Sequence, residues 1–188
     1  MKKGFIIIIS GPSGAGKTTL HNKLLEDNEF RTKIVKSISA TTRPKRPGER
    51  HGRDYYYLSK KMFVYKIRAG HFLEWQKVFK YYYGTPLRKV KELLKKGQHV
   101  LLCIDVKGAK VVWRKFPQAL KIFIRPTSLA VLKARLKKRG TENLQDLKIR
   151  MQTAKQELRE APYYDLVVVN GDLHMAYNKI KRFLAARI

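Results

Sequence analysis

The sequence has little cysteine and little negative charge. A single cysteine, Cys103, occurs among its 188 residues. One cysteine excludes an internal disulfide and a zinc cluster built from cysteines, and it fits a reducing cytoplasm. Asp and Glu number 14 against 42 Lys and Arg, so the formal net charge at pH 7 is +28. Such a charge attracts polyanions, including nucleotides, RNA and anionic membrane surfaces. The basic residues are dispersed along the chain, which favours a general compositional bias as their explanation.

Long hydrophobic runs are also missing. The apolar run Phe5–Ile9 is five residues long and leads into Ser10-Gly11-Pro12, so it does not match a secretory signal. A membrane span needs about 18 consecutive apolar residues, and no stretch approaches that length. Hydrophobic residues nevertheless make up 44% of the chain, which is typical of a folded globular protein. The sequence therefore predicts a cytoplasmic protein without a membrane segment.

Short apolar runs alternate with amphipathic segments along much of the chain. This alternation predicts an α/β fold, in which helices cover both faces of a parallel sheet. The predicted strands are 4–10, 100–104, 119–124 and 165–169, and the predicted helices are 17–26, 106–116, 128–138 and 173–186.

Two segments interrupt this alternation. Residues 37–86 are rich in Tyr, Arg and Gly, and their short patterns predict a small, mostly β lobe inserted into the sheet domain. Residues 135–160 are highly charged with a Gly140-Thr141 break, which predicts a helical lid. The remaining segments 1–36, 87–134 and 161–188 then form the core of one domain. A core with a lobe and a lid indicates an enzyme that closes over its substrate.

A complete phosphate-binding motif follows the first predicted strand. Residues 11–18 read Gly-Pro-Ser-Gly-Ala-Gly-Lys-Thr and match the pattern G-x-x-x-x-G-K-[ST]. The glycines let successive backbone N–H groups face phosphate oxygens, and the next helix directs its positive end at the same place. Lys17 supplies a cation for the β- and γ-phosphates, and the Thr18 hydroxyl is a ligand for Mg²⁺. The motif predicts ATP or GTP binding but does not identify the acceptor.

A second anion site is predicted in an arginine-containing loop. Arg43 and Arg46 lie in an extended Pro/Gly-rich stretch, and Arg is suited to bidentate phosphate recognition. Hydroxyl groups of Tyr55 and Tyr83 would complete a cradle for a monophosphate. Taken alone, such a loop is more often a solvated basic surface.

The sequence around Glu74 indicates a binding site for a purine base. It lies among large apolar residues in Phe72-Leu73-Glu74-Trp75, and Thr85 follows in Tyr83-Gly84-Thr85. Guanine presents two adjacent donors, N1–H and the 2-amino group, and a single carboxylate accepts from both. Adenine lacks that pair and would leave the carboxylate unpaired, which favours guanine by several kcal/mol.

Taken together, these motifs resemble those of the guanylate kinase family, in the family's order and over essentially the whole chain. The matching segments are 11–19, 39–49, 52–55, 72–75, 83–85, 105–109, 135–142, Arg150 and 168–170. The resemblance implies a P-loop kinase core with an inserted GMP-binding lobe and a helical lid. It also implies transfer of the γ-phosphoryl group of ATP to GMP with Mg²⁺, and it leaves dGMP open as an acceptor.

The resemblance assigns roles residue by residue. The ATP site would comprise Gly11, Pro12, Ser13, Gly14, Ala15, Gly16, Lys17, Thr18, Thr19 and Asn170, with Thr18 on the metal. The GMP site would comprise Ser39, Arg43, Arg46, Glu49, Tyr55, Glu74, Tyr83, Thr85 and Asp105. Catalysis would rest on Lys17, Arg46, Arg135, Arg139 and Arg150.

The chain also departs from the family pattern. The usual Asp-x-Asp after the third core strand reads Cys103-Ile104-Asp105, which removes one negative charge near the metal. Residues 79–82 lack the Gly-Asn pair that usually precedes the Tyr-Gly-Thr motif at Tyr83. Within 58–98, eleven Lys and Arg stand against two acids, which keeps a nucleic-acid partner open. The alternatives are a guanylate-kinase-like binding module and a basic RNA-binding protein.

Overall fold

The computed structural model describes residues 3–78, 80–138 and 144–188, and these form two separate β-sheets and flanking helices. In chain order the elements are β1 (Ile6–Ser10), α1 (Lys17–Glu26), β2 (Ile34–Lys36), β3 (Ala40–Thr41), β4 (Tyr56–Tyr57), α2 (Lys60–Arg68), β5 (Phe72–Val78), β6 (Tyr81–Pro86), α3 (Leu87–Lys95), β7 (His99–Cys103), α4 (Val106–Lys115), β8 (Leu120–Arg125), α5 (Leu129–Lys138), α6 (Leu144–Leu158), β9 (Leu166–Val169) and α7 (Leu173–Ala185). A short 3-10 helix, Ala161–Tyr163, precedes β9.

The larger sheet is parallel, with strand order β2-β7-β1-β8-β9. Strand β1 lies at its centre and is buried along its whole length. Ile6 and Ile8 pack on one face of the sheet, against α3 and α4. Ile7 and Ile9 pack on the other face, against α1 and α7. A strand with helices on both faces buries both sets of side chains, which explains the unbroken isoleucine run and confirms the predicted α/β fold.

The smaller sheet has strand order β4-β3-β6-β5 and mixes parallel and antiparallel pairs. Its core is the Phe63 ring of α2, which stacks on Phe72 with ring centroids 4.5 Å apart and lies 5.5 Å from Tyr82. This sheet lies within residues 37–86, which the sequence assigns to an inserted lobe. The boundaries of core, lobe and lid stay predictions.

Three elements were not predicted from the sequence: β2, α2 and α3. Helix α3 buries Val90, Leu93 and Leu94 on one face, which is helical spacing, but a dense set of lysines surrounds them. Helix α2 is capped by Ser59, whose hydroxyl accepts from the Met62 N–H at 3.2 Å. Because of this helix, the lobe combines a helix and four strands around one aromatic core.

Helices α5 and α6 form the segment predicted as a lid. They share a small apolar cluster of Leu132, Leu136, Leu147 and Ala154. The predicted Gly140-Thr141 break lies outside the described residues. Among the described residues, no helix combines the length and the apolarity needed to cross a membrane.

We predict that Phe63→Ala lowers the free energy of unfolding by about 3 kcal/mol, because it opens a cavity where the fully buried Phe63 ring stacks on Phe72. Urea denaturation followed by circular dichroism measures this change. Met62→Ala is the matched control, since Met62 is the neighbouring residue and is 46% exposed. The control should change stability by less than about 0.5 kcal/mol. Equal effects of the two substitutions would show that the aromatic core does not stabilise this lobe.

Candidate active site

The phosphate loop connects β1 to α1 in a conformation that needs glycine. Gly11, Gly14 and Gly16 have φ of 134°, 87° and 93°, a backbone region that other residues rarely adopt. A Cβ at Gly11 would stand 2.1 Å from the Ile124 carbonyl oxygen. A Cβ at Gly16 would stand 2.0 Å from the Asn170 side-chain nitrogen. The three glycines therefore let the loop close tightly against the strand ends.

Lys17 begins α1 and folds back over this loop. Its ammonium group donates to the Gly11 carbonyl at 2.7 Å and to the Pro12 carbonyl at 2.9 Å. Thr18 and Thr19 follow in the first turn and are exposed. The loop thus combines a cation, exposed hydroxyl groups and a helix N-terminus, which together suit the phosphates of a nucleotide.

Asn170 follows β9 and supports the loop from behind. Its side-chain amide donates to the Ala15 carbonyl at 2.8 Å, and the residue is only 6% exposed. Arg135 of α5 donates to the Asn170 carbonyl at 3.3 Å. These contacts connect Arg135 to the loop. The assignment of Asn170 to the adenine of ATP stays a prediction.

Of the other two predicted lid arginines, the structure describes only one. Arg150 lies half-buried on α6. Arg139 lies outside the described residues.

Arg43 is held within its own loop. It is 9% exposed, and its guanidinium donates to Glu49 at 2.8 Å and to the Pro44 carbonyl at 2.7 Å. Tyr55 lies beside it, with the guanidinium carbon 5.4 Å from the ring centroid, and Tyr83 lies 6.1 Å from Tyr55 between ring centroids. The structure therefore brings three predicted phosphate ligands together. Arg46, a fourth predicted ligand, has an exposed side chain.

Glu49 fixes this arginine loop. It accepts from Arg43, from the Arg46 N–H at 2.8 Å and from the Tyr57 hydroxyl at 2.6 Å. Partial burial opposes ionisation of Glu49, but these hydrogen bonds outweigh it and lower its pKa to about 2. Tyr57 was not among the predicted site residues. Its spacing of two from Tyr55 was the available signal, because alternate residues of a strand share a face.

Glu74 and Thr85 form a buried polar pair between neighbouring strands. They are register partners of β5 and β6, and the Thr85 hydroxyl donates to the Glu74 carboxylate at 2.5 Å. Glu74 is 6% exposed and Thr85 is fully buried. Ser39 lies half-buried just before β3, and its carbonyl accepts from the Tyr56 N–H at 2.9 Å. The pair predicted to read the base is therefore preformed.

The carboxylate of Glu74 lies against the N-terminus of α4. A Cβ at Gly108 would stand 2.6 Å from a Glu74 carboxylate oxygen, so only glycine allows this approach. Asp105 caps the same helix by accepting from the Gly108 N–H at 2.6 Å. Burial raises the pKa of Glu74 to about 7, and the neighbouring Asp105 adds to this shift. Burial also raises the pKa of Asp105.

Cys103 lies at the end of β7, beside the first turn of α1. Burial raises the pKa of its thiol, although Lys17 and the Thr18 hydroxyl oppose that shift. An uncharged thiol therefore occupies the position where the family pattern has an acid. Among the described residues, no group of three or more His, Cys, Asp and Glu could hold a metal ion on its own. Thr18 together with nucleotide phosphates fits Mg²⁺, which usually binds through few protein ligands.

Glu157 of α6 was not predicted as a site residue. It is half-buried, and burial raises the pKa of its carboxyl group to about 7, while Lys17 and Lys107 lower it and Asp105 raises it. No sequence pattern pointed to this residue, because it is one acid in a segment rich in both charges.

Part of the basic excess of residues 58–98 lines a groove of about 1020 Å³ that side chains of α2 and α3 border. Its basic lining comprises Lys66, Arg88, Lys89, Lys91 and Lys95. None of the predicted site residues that the structure describes lines the groove. A nucleic-acid partner for this surface stays a prediction.

We predict that Glu74→Gln stabilises the protein at pH 8 by about 3 kcal/mol and leaves stability nearly unchanged at pH 4. The native pKa of about 7 lies above the ordinary 4.5, so the native protein loses stability as pH rises between these values. Gln carries no charge and removes that loss. Urea denaturation at both pH values measures the difference. A pH-independent effect would show that the buried carboxyl group does not titrate in this window.

The comparisons with known proteins agree with the geometry. The sequence model of the guanylate kinase family matches residues 3–187. The chain is 42% identical to the guanylate kinase of Carboxydothermus hydrogenoformans, over 99% of this chain and 90% of the relative. It is 45% identical to that of Protochlamydia amoebophila, over 98% and 92%.

A solved structure is similar as well. The crystal structure of guanylate kinase from Anaplasma phagocytophilum superimposes with a TM-score of 0.79 at 32% identity, covering 99% of this chain and 87% of that one. Both the sequence and the fold support the motif-based assignment, and the chain belongs to the guanylate kinase family.

Proposed function

We propose that this chain transfers the γ-phosphoryl group of ATP to GMP, giving ADP and GDP, with the phosphate loop holding ATP and the smaller sheet holding GMP. One observation carries the proposal. The buried Glu74–Thr85 pair lies against Gly108 in the first turn of α4, and Lys17 of the complete phosphate loop acts electrostatically on Asp105, the cap of the same helix. A donor phosphate site and a base-reading site thus face one junction.

The guanine base would bind to the buried pair. Its N1–H and 2-amino group would donate to Glu74, and Thr85 holds that carboxylate in place at 2.5 Å. Adenine would place an acceptor, N1, against the same carboxylate. Because the pair is buried, an unpaired group there is costly, and the site discriminates between the bases.

The GMP phosphate would bind near Arg43, Tyr55 and Tyr83. Glu49 and Tyr57 support this group by fixing the position of the Arg43 guanidinium. Arg46 has an exposed side chain and its backbone is fixed by Glu49, so it could turn toward the phosphate when GMP binds. These residues orient the acceptor oxygen toward the phosphate loop.

The proposed reaction does not need a dedicated general base. The nucleophile is a phosphate oxygen of GMP, which is already largely dianionic at neutral pH because its second pKa is about 6. The protein must instead align two anionic groups and neutralise charge as they approach. Lys17 would serve the β- and γ-phosphates. Thr18 would hold Mg²⁺, which supplies further charge neutralisation when bound.

The lid arginines would complete the charge balance. Arg135 is connected to the phosphate loop through Asn170, and Arg150 lies half-buried on α6. Together with Arg139 they would contact the transferring phosphoryl group. A cytoplasmic location and use of dGMP as a second acceptor remain further predictions of the family membership. The intact phosphate loop disfavours the alternative of a purely non-catalytic binding module.

We predict that Lys17→Ala lowers turnover with ATP and GMP at least 100-fold, because it removes a preorganised cation from the transferring phosphates. A coupled ADP-release assay with Mg²⁺ measures this rate. Lys23→Ala is the matched control on the same helix, where Lys23 lies 5.0 Å above the Tyr177 ring. Wild-type turnover in the Lys17→Ala variant would contradict the proposed function.

We also predict that Glu74→Ala lowers kcat/KM for GMP about 100-fold. Two hydrogen bonds to a charged acceptor contribute about 3 kcal/mol together, which corresponds to that factor. The same assay with GMP, AMP, CMP and UMP tests base choice. Glu92→Ala is the control, since Glu92 is an acid of the α3 surface paired with Arg88. If the Glu74→Ala variant kept the wild-type preference for GMP over AMP, Glu74 would not read the base.

A further inference from the structure

The groove between α2 and α3 is distinct from the candidate active site. Tyr56 of β4 lines the groove, whereas its neighbour Tyr55 lies beside Arg43 and its neighbour Tyr57 donates to Glu49. Successive side chains of a strand point to opposite faces of a sheet. The groove therefore opens on the face of the smaller sheet that the proposed phosphate ligands do not use.

The groove carries positive charge that the protein does not neutralise. Glu92 is the one acid among the described residues that line it, and Arg88 and Lys89 lie 2.9 and 4.0 Å from its carboxylate oxygens. Three further cations line the groove, and none of them forms an ion pair with a described residue. These groove lysines are Lys66, Lys91 and Lys95.

The placement of these charges works against the stability of α3. Lys91 lies three residues after Arg88 and four before Lys95, so the three cations share one side of the helix. Like charges at these spacings repel one another and destabilise a helix. A bound polyanion offsets that repulsion, because its charges lie between the cations. The groove therefore complements a polyanion.

The accessible rings of the groove favour a nucleic acid among polyanions. Ala40 and Phe72 contribute little surface because they are buried, whereas His51 and His71 are exposed and Tyr56 is half-buried. These last three side chains, the groove rings, have flat faces on which bases can stack. Proteins bind single strands of nucleic acid through such rings in a cationic groove. An acidic peptide or an anionic bilayer offers no bases to the rings.

We propose that this groove binds single-stranded nucleic acid, with phosphates on the groove lysines and bases on the groove rings. Contacts to phosphates carry no sequence information, and every base has a face that stacks, so strands of different sequence bind. The inference is independent of the proposed function, because none of the predicted site residues that the structure describes lines the groove.

Fluorescence anisotropy with a labelled single-stranded RNA of about 12 nucleotides and mixed sequence measures this binding. Each phosphate contact on a single strand steepens the dependence of log K on log salt concentration by about 0.7. Replacing the groove lysines together, as Lys66→Ala, Lys91→Ala and Lys95→Ala, should therefore lower the magnitude of the slope by about 2. The same change should weaken binding about 100-fold at about 0.1 M salt.

The matched control removes the same charge from exposed residues that do not line the groove. It combines Arg31→Ala, Lys179→Ala and Arg182→Ala, and it should leave the slope nearly unchanged. Circular dichroism verifies that both variants fold. Lys17→Ala should bind the RNA like the wild type, because the strand does not occupy the phosphate loop.

A second variant tests the stacking contact. His71→Ala should weaken RNA binding about 10-fold without changing the salt slope, since stacking releases no counterions. His174→Ala is its control, because His174 is exposed on α7 and does not line the groove. The control should leave the affinity unchanged.

Four outcomes would overturn the inference. The first is a wild-type protein that does not bind the RNA at low salt, and the second is an unchanged salt slope after replacement of the groove lysines. Loss of binding in Lys17→Ala would place the RNA in the phosphate loop. Equally tight binding of a polyglutamate peptide or of phosphatidylglycerol vesicles, sensitive to the groove lysines while His71→Ala has no effect on RNA, would assign the groove to an acidic protein or a membrane.

Discussion

The close approach of the smaller sheet to the N-terminus of α4 is the contact on which the site depends. Strand β5 carries Leu73 into the core of the larger sheet, and Lys115 of α4 donates to the Leu73 carbonyl at 2.8 Å. The next residue is Glu74, whose carboxylate reaches Gly108. The absence of a side chain at 108 permits that distance. The same contact therefore joins the two sheets and places Glu74, the acid proposed to read the base, beside the start of α4.

This arrangement gathers negative charge in a strongly positive protein. Burial, with the negative charge of Asp105 adding to it, raises the pKa of Glu74 and of Glu157 to about 7. A carboxyl group with a pKa near 7 is partly protonated at neutral pH until a partner stabilises its charged form. Guanine would be that partner for Glu74. Binding of GMP in the proposed site would thereby be coupled to the ionisation of Glu74.

Much of the fold and part of the site could be predicted because the sequence patterns that encode them are local. The β1 run is fully apolar since both of its faces are covered, and the phosphate loop needs its glycines in a fixed order. Helix α3 was missed because its apolar positions lie among lysines that belong to its exposed face. Tyr57 was missed for a different reason. Its role arises from the hydrogen bond of its hydroxyl group to Glu49, and no local sequence pattern encodes that contact.

In the proposed site guanine binds to the ionised form of Glu74, and a pKa of about 7 leaves this carboxyl group about half protonated in the free protein at pH 7. Calorimetric titration of GMP at pH 7 in buffers of different ionisation enthalpy measures the protons released on binding. We expect the wild type to release about 0.5 proton more than Glu74→Gln, since the GMP phosphate contributes equally to both. Equal proton release from the two proteins would contradict binding of guanine to an ionised Glu74.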